Sequence, residues 1–289
     1  MRGVVTLTFV LVVFLSPFEL SGYFAPACFS SSRAVSMGGA YLSVCEGSDA
    51  AFYNPSRIIS SHRFELAVDY TMLYSVDGLS YFSSAFSYTS GRFGGFALGW
   101  RGLYLEDVYG ENHISLSWGR RIWRAISLGA SLKAVLLSAP GYSKYNDPNF
   151  EESFITLSGD LGFSFVPFRN AVFSGVVTNV NAPKLSFIST TSEPDEWHRN
   201  IRLGMSYIIK RSLVFSLDAY TRRGDFDDIH LDIGSEMTFF DALSLRSGVS
   251  DGRLGLGLGL FSKRWAFDVA LASHRYLGNR YQFSFKVMY

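Results

Sequence analysis

The chain has 289 residues, 48% of them hydrophobic and 16% aromatic, with a formal net charge of +1. So small a net charge offers no long-range attraction for nucleic acid or an acidic partner. Phe (26), Tyr (16) and Gly (27) are abundant while Met (6) and Cys (2) are scarce, a balance that suits pleated surfaces and tight turns better than helical bundles.

Residues 1–22 read as a secretory signal: Arg2 in a short basic region, the apolar run Val4 to Leu15, then Ser16-Pro17. The apolar core is shorter than the roughly 20 residues a membrane helix needs. Cleavage is expected after Gly22 or after Ala27. The second site would leave Cys28 first, but Phe24-Ala25-Pro26-Ala27 lacks the Leu of a lipidation signal. In an oxidising compartment Cys28 and Cys45 either close a disulfide, worth about 3 kcal/mol in the chain-entropy model, or stay as two unpaired thiols.

Residues 23–62 do not alternate and are rich in small side chains. Gly38-Gly39 permits close backbone approach or positive φ, and Asn54-Pro55 starts a turn. Such a segment is expected to fill the lumen of a barrel as a plug, or hatch. Its candidate ligand-facing residues are Arg33, Met37, Gly38, Gly39, Phe52, Asn54 and Pro55.

From residue 63 to 289 large apolar residues recur at every second position, the period of a strand with two different faces. Leu254, Leu256, Leu258 and Leu260 alternate with Arg253 and three glycines, and Tyr281, Phe283, Phe285, Val287 and Tyr289 alternate with Gln282, Ser284 and Lys286. The minor face is mostly Gly, Ser and Ala with single charges. No run of 18 apolar residues follows the signal, so membrane residence requires a closed barrel whose bulky face meets lipid. The pattern predicts an all-β, transmembrane antiparallel barrel of about fourteen strands: 64–73, 79–89, 92–103, 113–120, 125–137, 154–166, 171–180, 199–209, 212–222, 228–240, 243–250, 252–261, 264–274 and 280–289.

The connections alternate as an outer-membrane barrel requires, short on the periplasmic side and longer outside. Short ones include Ser90-Gly91, Lys210-Arg211 and Ser262-Lys263. The expected outer loops are Tyr104 to Asn112, Ser138 to Ser153, Asn181 to His198 and Arg223 to Asp227. The last strand, ending at Tyr289, matches the pattern that barrel-assembly machinery recognises. Inward charges Arg101, Asp218, Asp232, Glu236, Arg246, Arg253 and Asp268 are expected to pair as a lumenal network. Gly94-Gly95 and Gly255 to Gly259 either bend a strand to open the wall or leave room for the plug.

Catalytic chemistry has little support. His62, His113, His198, His230 and His274 lack metal-ligand spacing, so no metal or cofactor is expected. Ser273 and Ser284 have no nucleophile motif to join His274.

The run SRAVSMGGAYLSVCEGSDAAFYNPS resembles the N-terminal signature of FadL-type outer-membrane transporters and their PorV/PorQ-like relatives, and LSLRSGVSDGRLGLGLGL with WAFDVALASHRYLGNRYQFSFKVMY resembles their closing hairpins. The likeness covers about a third of the chain, with Ser56 standing where that family has Ala. It implies an outer-membrane barrel with an N-terminal hatch that takes up long-chain fatty acids or other hydrophobic molecules. A secretion or surface-assembly barrel receiving protein cargo on its outer loops is the alternative. The chain lacks the long loop insertions of the best-known fatty-acid transporters.

Overall fold

The computed structural model describes residues 30–289 apart from 75, 146–147, 188–194, 211, 222–223 and 275–277. The expected signal segment and Cys28 lie outside the described residues. Fourteen strands form one closed antiparallel barrel. They are β1 (Phe64–Met72), β2 (Leu79–Ser90), β3 (Gly94–Leu105), β4 (Tyr109–Arg121), β5 (Ile126–Ser138), β6 (Ser153–Phe168), β7 (Ala171–Thr178), β8 (Asn200–Ile209), β9 (Leu213–Thr221), β10 (Ile229–Phe239), β11 (Leu243–Ser250), β12 (Arg253–Phe261), β13 (Trp265–His274) and β14 (Gly278–Met288). Each strand pairs with its sequence neighbours. β14 returns to β1, with Glu65 opposite Met288 and Met72 opposite Tyr281, so the sheet has no free edge.

The two faces separate as the alternation requires. On β1, Phe64, Leu66, Val68, Tyr70 and Met72 are exposed, whereas Glu65, Ala67, Asp69 and Thr71 are buried. The exposed set around the barrel is Leu, Phe, Val, Ile, Met, Tyr and Trp, a surface that water would not tolerate and a hydrocarbon layer would. No helix among the described residues is long and apolar enough to cross a membrane; the strands do the crossing.

Both ends of the barrel wall, Phe64 and Met288, lie at the short-turn end, with connections of two to four residues such as Gly91–Phe93 and Arg169–Asn170. The opposite end carries the two long connections, residues 139–152 and 179–199. The second of these holds a two-residue ribbon pairing Lys184–Leu185 with Asp195–Glu196. The loop expected over Tyr104 to Asn112 is much shorter than that, because the β3–β4 ladder continues to Leu105 opposite Tyr109. Only Glu106–Val108 remain outside it, turned by Asp107 at φ 55° and closed by the Val108 amide on the Leu105 carbonyl at 3.0 Å.

The glycine-rich strands open no gap in the wall. β3 and β12 pair residue for residue with both neighbours through Gly95 and through Gly255 to Gly259. The register irregularity in the described barrel falls between Phe165 and Phe168 of β6, where Pro167 cannot donate to the ladder.

Candidate functional site in the barrel lumen

Residues 30–58 lie against the inner face of the barrel. They form α1 (Ser32–Ser36), α2 (Ala50–Tyr53) and a 3₁₀ turn Pro55–Arg57, joined by tight turns. A five-residue helix has little intrinsic stability, so tertiary contacts hold it. The Gly38 and Gly39 amides close it on Val35 and Ala34 at 3.1 and 2.9 Å, with both glycines at positive φ (63° and 85°). Asn54 caps the 3₁₀ turn: its Oδ1 accepts from the Ser56 amide at 3.1 Å and the Ser56 hydroxyl at 2.7 Å.

Inward glycines of the wall make the room. A Cβ at Gly234 would stand 2.5 Å from the Met37 carbonyl oxygen, and one at Gly129 would stand as close to that of Pro55. Gly119, Gly248 and Gly255 meet backbone of the same segment in the same way, and Gly95 meets the Ile58 side chain. These glycines accommodate the packed segment, the second of the two readings open from the sequence.

Charged groups then fasten the segment to the wall. Asp218 on β9 and Asp232 on β10 sit directly opposite each other, an arrangement that by itself is repulsive. Arg202 on β8 neutralises it, donating to Asp218 at 3.0 Å and contacting Asp232, while its Nη2 donates to the Gly39 carbonyl at 2.9 Å. The Tyr41 and Leu42 amides both donate to Asp218 Oδ2 at 3.0 Å. One wall carboxylate thus orders two backbone amides of the segment.

A second fastening runs across β10 to β13. Arg33 grips Glu236 with Nε and Nη2, each at 2.7 Å, the fork geometry that makes Arg–carboxylate pairs strong. Arg246, opposite Glu236 in the register, donates to it at 2.5 Å and also reaches Asp268. That reach crosses β12 above Gly259, where a Cβ would stand 2.6 Å from the Arg246 guanidinium. A third fastening joins Lys286 of β14 to Asp49 at 2.9 Å, with the Tyr41 hydroxyl donating to the same carboxylate at 2.8 Å. Burial and the Asp49 charge hold the Tyr41 phenol well above its ordinary range, so it remains a donor.

The outer half of the lumen has a different lining. Leu73, Tyr81 and Leu103 form one buried apolar cluster and Val135, Leu137 and Leu185 another. Tyr109 packs against both. The long loops complete the surface: Phe150 stacks between Tyr142 and Phe187 at 5.5 and 5.9 Å, and the Glu151 amide donates to the Phe187 carbonyl at 2.7 Å. Beneath them Lys133 pairs with Asp160 at 2.6 Å and lies 4.8 Å from the Trp197 ring centroid. His113 meets the same ring edge-on at 5.3 Å and contacts Glu111.

Of the residues singled out from the sequence, Arg33, Met37, Gly38, Gly39, Asn54 and Pro55 all face the wall contacts described above. Phe52 lies over Gly99, with the Arg101 guanidinium 6.0 Å from its ring. Asp218, Asp232, Glu236, Arg246 and Asp268 join the segment's fastenings. Arg101 belongs elsewhere, 3.4 Å from His113, and Arg253 begins β12 opposite Ser250. Arg202, Lys133, Lys286 and Asp49 were not singled out. Arg202 had a signal, since it alternates with Ile201 and Leu203 and so faces inward. Ser284 is bound to Ser32 and Asp69, and its β13 partner Asp268 is six positions from His274, roughly 20 Å at the strand rise. Among the described residues no group of His, Cys, Asp and Glu is arranged to hold a metal.

Cys45 is fully buried and its thiol donates to the Leu42 carbonyl at 3.3 Å. Burial pushes the thiol pKa up, so little thiolate exists at neutral pH. In a Cys28→Ser background, Cys45 is expected to resist a maleimide for hours in the folded barrel and to react within minutes after heat unfolding. Equal rates in both states would place Cys45 outside the packed lumen.

No protein-family model matches the chain, and no curated protein matches it. Solved structures do. The CymD monoaromatic hydrocarbon channel superposes with a TM-score of 0.64 at 12% identity, over 92% of this chain and 99% of that one. The toluene transporter TbuX of Ralstonia pickettii gives 0.59 at 13% identity, over 89% and 98%. A FadL homologue of Pseudomonas aeruginosa gives 0.59 at 11% identity, over 93% and 99%. At these identities the likeness is one of fold, and the fold is that of an outer-membrane β-barrel.

Proposed function

We propose that this barrel is a channel for uptake of hydrophobic small molecules across the outer membrane, with the N-terminal segment as its hatch. The observation that carries the reading is the pair of apolar clusters in the outer lumen, joined through Tyr109 and edged by the partly buried rings of Phe187 and Trp197. A greasy solute gains by leaving water for such a surface, and flat rings gain further from edge and stacking contacts with Phe187, Trp197 and Tyr109. The names of the similar channels point the same way, so toluene is the first substrate to test. A long-chain fatty acid is the second, its carboxylate directed to Lys133 or Arg101. The cargo-receiving alternative has less support, because the described parts of both long loops pack on each other and over the lumen.

Tryptophan fluorescence of the purified barrel, titrated with toluene and separately with oleate, tests the proposal. A saturable response is expected, weakened about tenfold by Trp197→Ala, roughly the aromatic contact together with part of the buried area. A response to oleate alone would move the substrate to fatty acids. No response to either, with a protein co-purifying through the outer loops, would favour the cargo reading.

A further inference from the structure

The chain's net charge is nearly zero, but the barrel sorts its charges by height. Five of the six short turns carry an exposed cation near or within them: Arg92, Arg124, Arg169, Lys210 and Lys263. Arg63 adds another just before β1, and the remaining turn holds Asp241. Among the described residues, the exposed charges at the loop end are mainly acidic, including Asp77, Glu106, Asp107, Glu151, Asp225 and Asp227 against Lys184 and Arg199.

The cations stand beside exposed aromatic rings at the lower margin of the apolar belt. Arg63 lies 5.5 and 5.7 Å from the ring centroids of Phe64 and Tyr88, and Arg92 lies 5.3 Å from that of Phe93. Trp123 precedes Arg124 and Phe168 precedes Arg169, while Phe240 is 94% exposed on the remaining turn. Aromatic rings with cations at one level mark a membrane–water interface. Near Arg63 a recess of about 330 Å³ is walled by Ser61, His62, Tyr88, Ser90 and Gly91, giving hydroxyl and cationic donors room for a phosphate beside apolar rings for acyl chains.

We propose that the short-turn rim is a collar for anionic phospholipid, with the Arg63 recess as one discrete headgroup seat. A protein partner would need one patch, whereas this charge runs around most of the circumference, as the headgroups of a surrounding leaflet do. The acidic opposite rim does not suit anionic headgroups, so the collar also gives the barrel a preferred orientation.

Native mass spectrometry of the full barrel, titrated with phosphatidylglycerol and with phosphatidylcholine, tests this. The wild type is expected to retain phosphatidylglycerol preferentially, and less so at high salt. A variant carrying Arg92→Gln, Arg124→Gln, Arg169→Gln and Lys210→Gln is expected to lose that preference by about fivefold per charge removed. Arg63→Gln is expected to remove one tightly held lipid, and Arg63→Lys to keep it in part. Heat-modifiable mobility on gels verifies that each variant is folded. Equal retention of the two lipids by the wild type, or undiminished phosphatidylglycerol in the folded variants, would overturn the proposal. So would loss of a co-purifying acidic protein with lipid binding unchanged, which would assign the rim to a protein partner.

Discussion

Asp218→Ala is expected to release the N-terminal segment and turn a closed lumen into a conducting one. Asp218 is fully buried, and its Oδ2 receives the Tyr41 amide, the Leu42 amide and Arg202. Truncation leaves two amides without an acceptor, each costing about 1–3 kcal/mol, and removes one of the two carboxylates that Arg202 contacts. A loss of about 3–5 kcal/mol from the seated state follows, roughly a hundred- to several-thousandfold in the seated-to-released ratio. The wall itself should survive, because the β8–β9–β10 ladder is made by backbone groups. Single-channel recording should show long openings absent from the wild type, and protease should cut within residues 30–62. Asp218→Asn keeps one acceptor oxygen and should fall between. A variant as silent and as protease-resistant as the wild type would mean that this carboxylate does not hold the segment.

Gly234→Leu is expected to reach a similar end by steric means. The added Cβ would stand 2.5 Å from the Met37 carbonyl oxygen and 2.9 Å from the Met37 Cβ, inside any tolerable contact. Backbone cannot rotate away as a flexible side chain can, so the segment must shift or leave. Overpacking of this kind costs about 1–3 kcal/mol for an added methylene and more for an isobutyl group. Gly159→Leu is the control: a Cβ there meets only the Ser131 carbonyl oxygen at 3.5 Å, and the site lies on the outward side of β6 beside Leu157 and Leu161. The first substitution should raise conductance severalfold and the second should leave it unchanged, with both barrels folded by gel mobility. Equal effects would make glycine content a property of the strands rather than of the packed lumen.

The strands were legible because a two-residue period is a local property. All fourteen expected segments correspond to strands, and β11 matches at both ends. The miss at β4, expected from residue 113 and found from Tyr109, has a local cause. Gly110 and the polar pair Glu111-Asn112 read as loop, yet Glu111 faces inward and buried, and outward Asn112 accepts from Trp100 Nε1 at 3.0 Å and from the Tyr104 hydroxyl. An outward polar side chain covered by two girdle aromatics is a tertiary arrangement. Several network members were legible as inward charges, but their partners were not. Arg202 reads as inward between Ile201 and Leu203, but inwardness alone does not say that a pair of opposed carboxylates waits on the next two strands.

The amino-acid sequence by itself determined the barrel: strand number, the face turned to lipid, and the end that carries the two longest connections, all written in local patterns along the chain. The tertiary structure decided what fills it. Arg33 meets Glu236 and Ser32 meets Ser284 across more than two hundred residues, and such contacts exist only once β14 has closed on β1. Charge was decided there too. A formal net charge of +1 is a sum over the chain, whereas the folded barrel distributes the described residues by height, basic at the short turns and mainly acidic at the opposite rim. Interaction with a membrane depends on where charge stands, and only the register and closure of the sheet assign each residue its place.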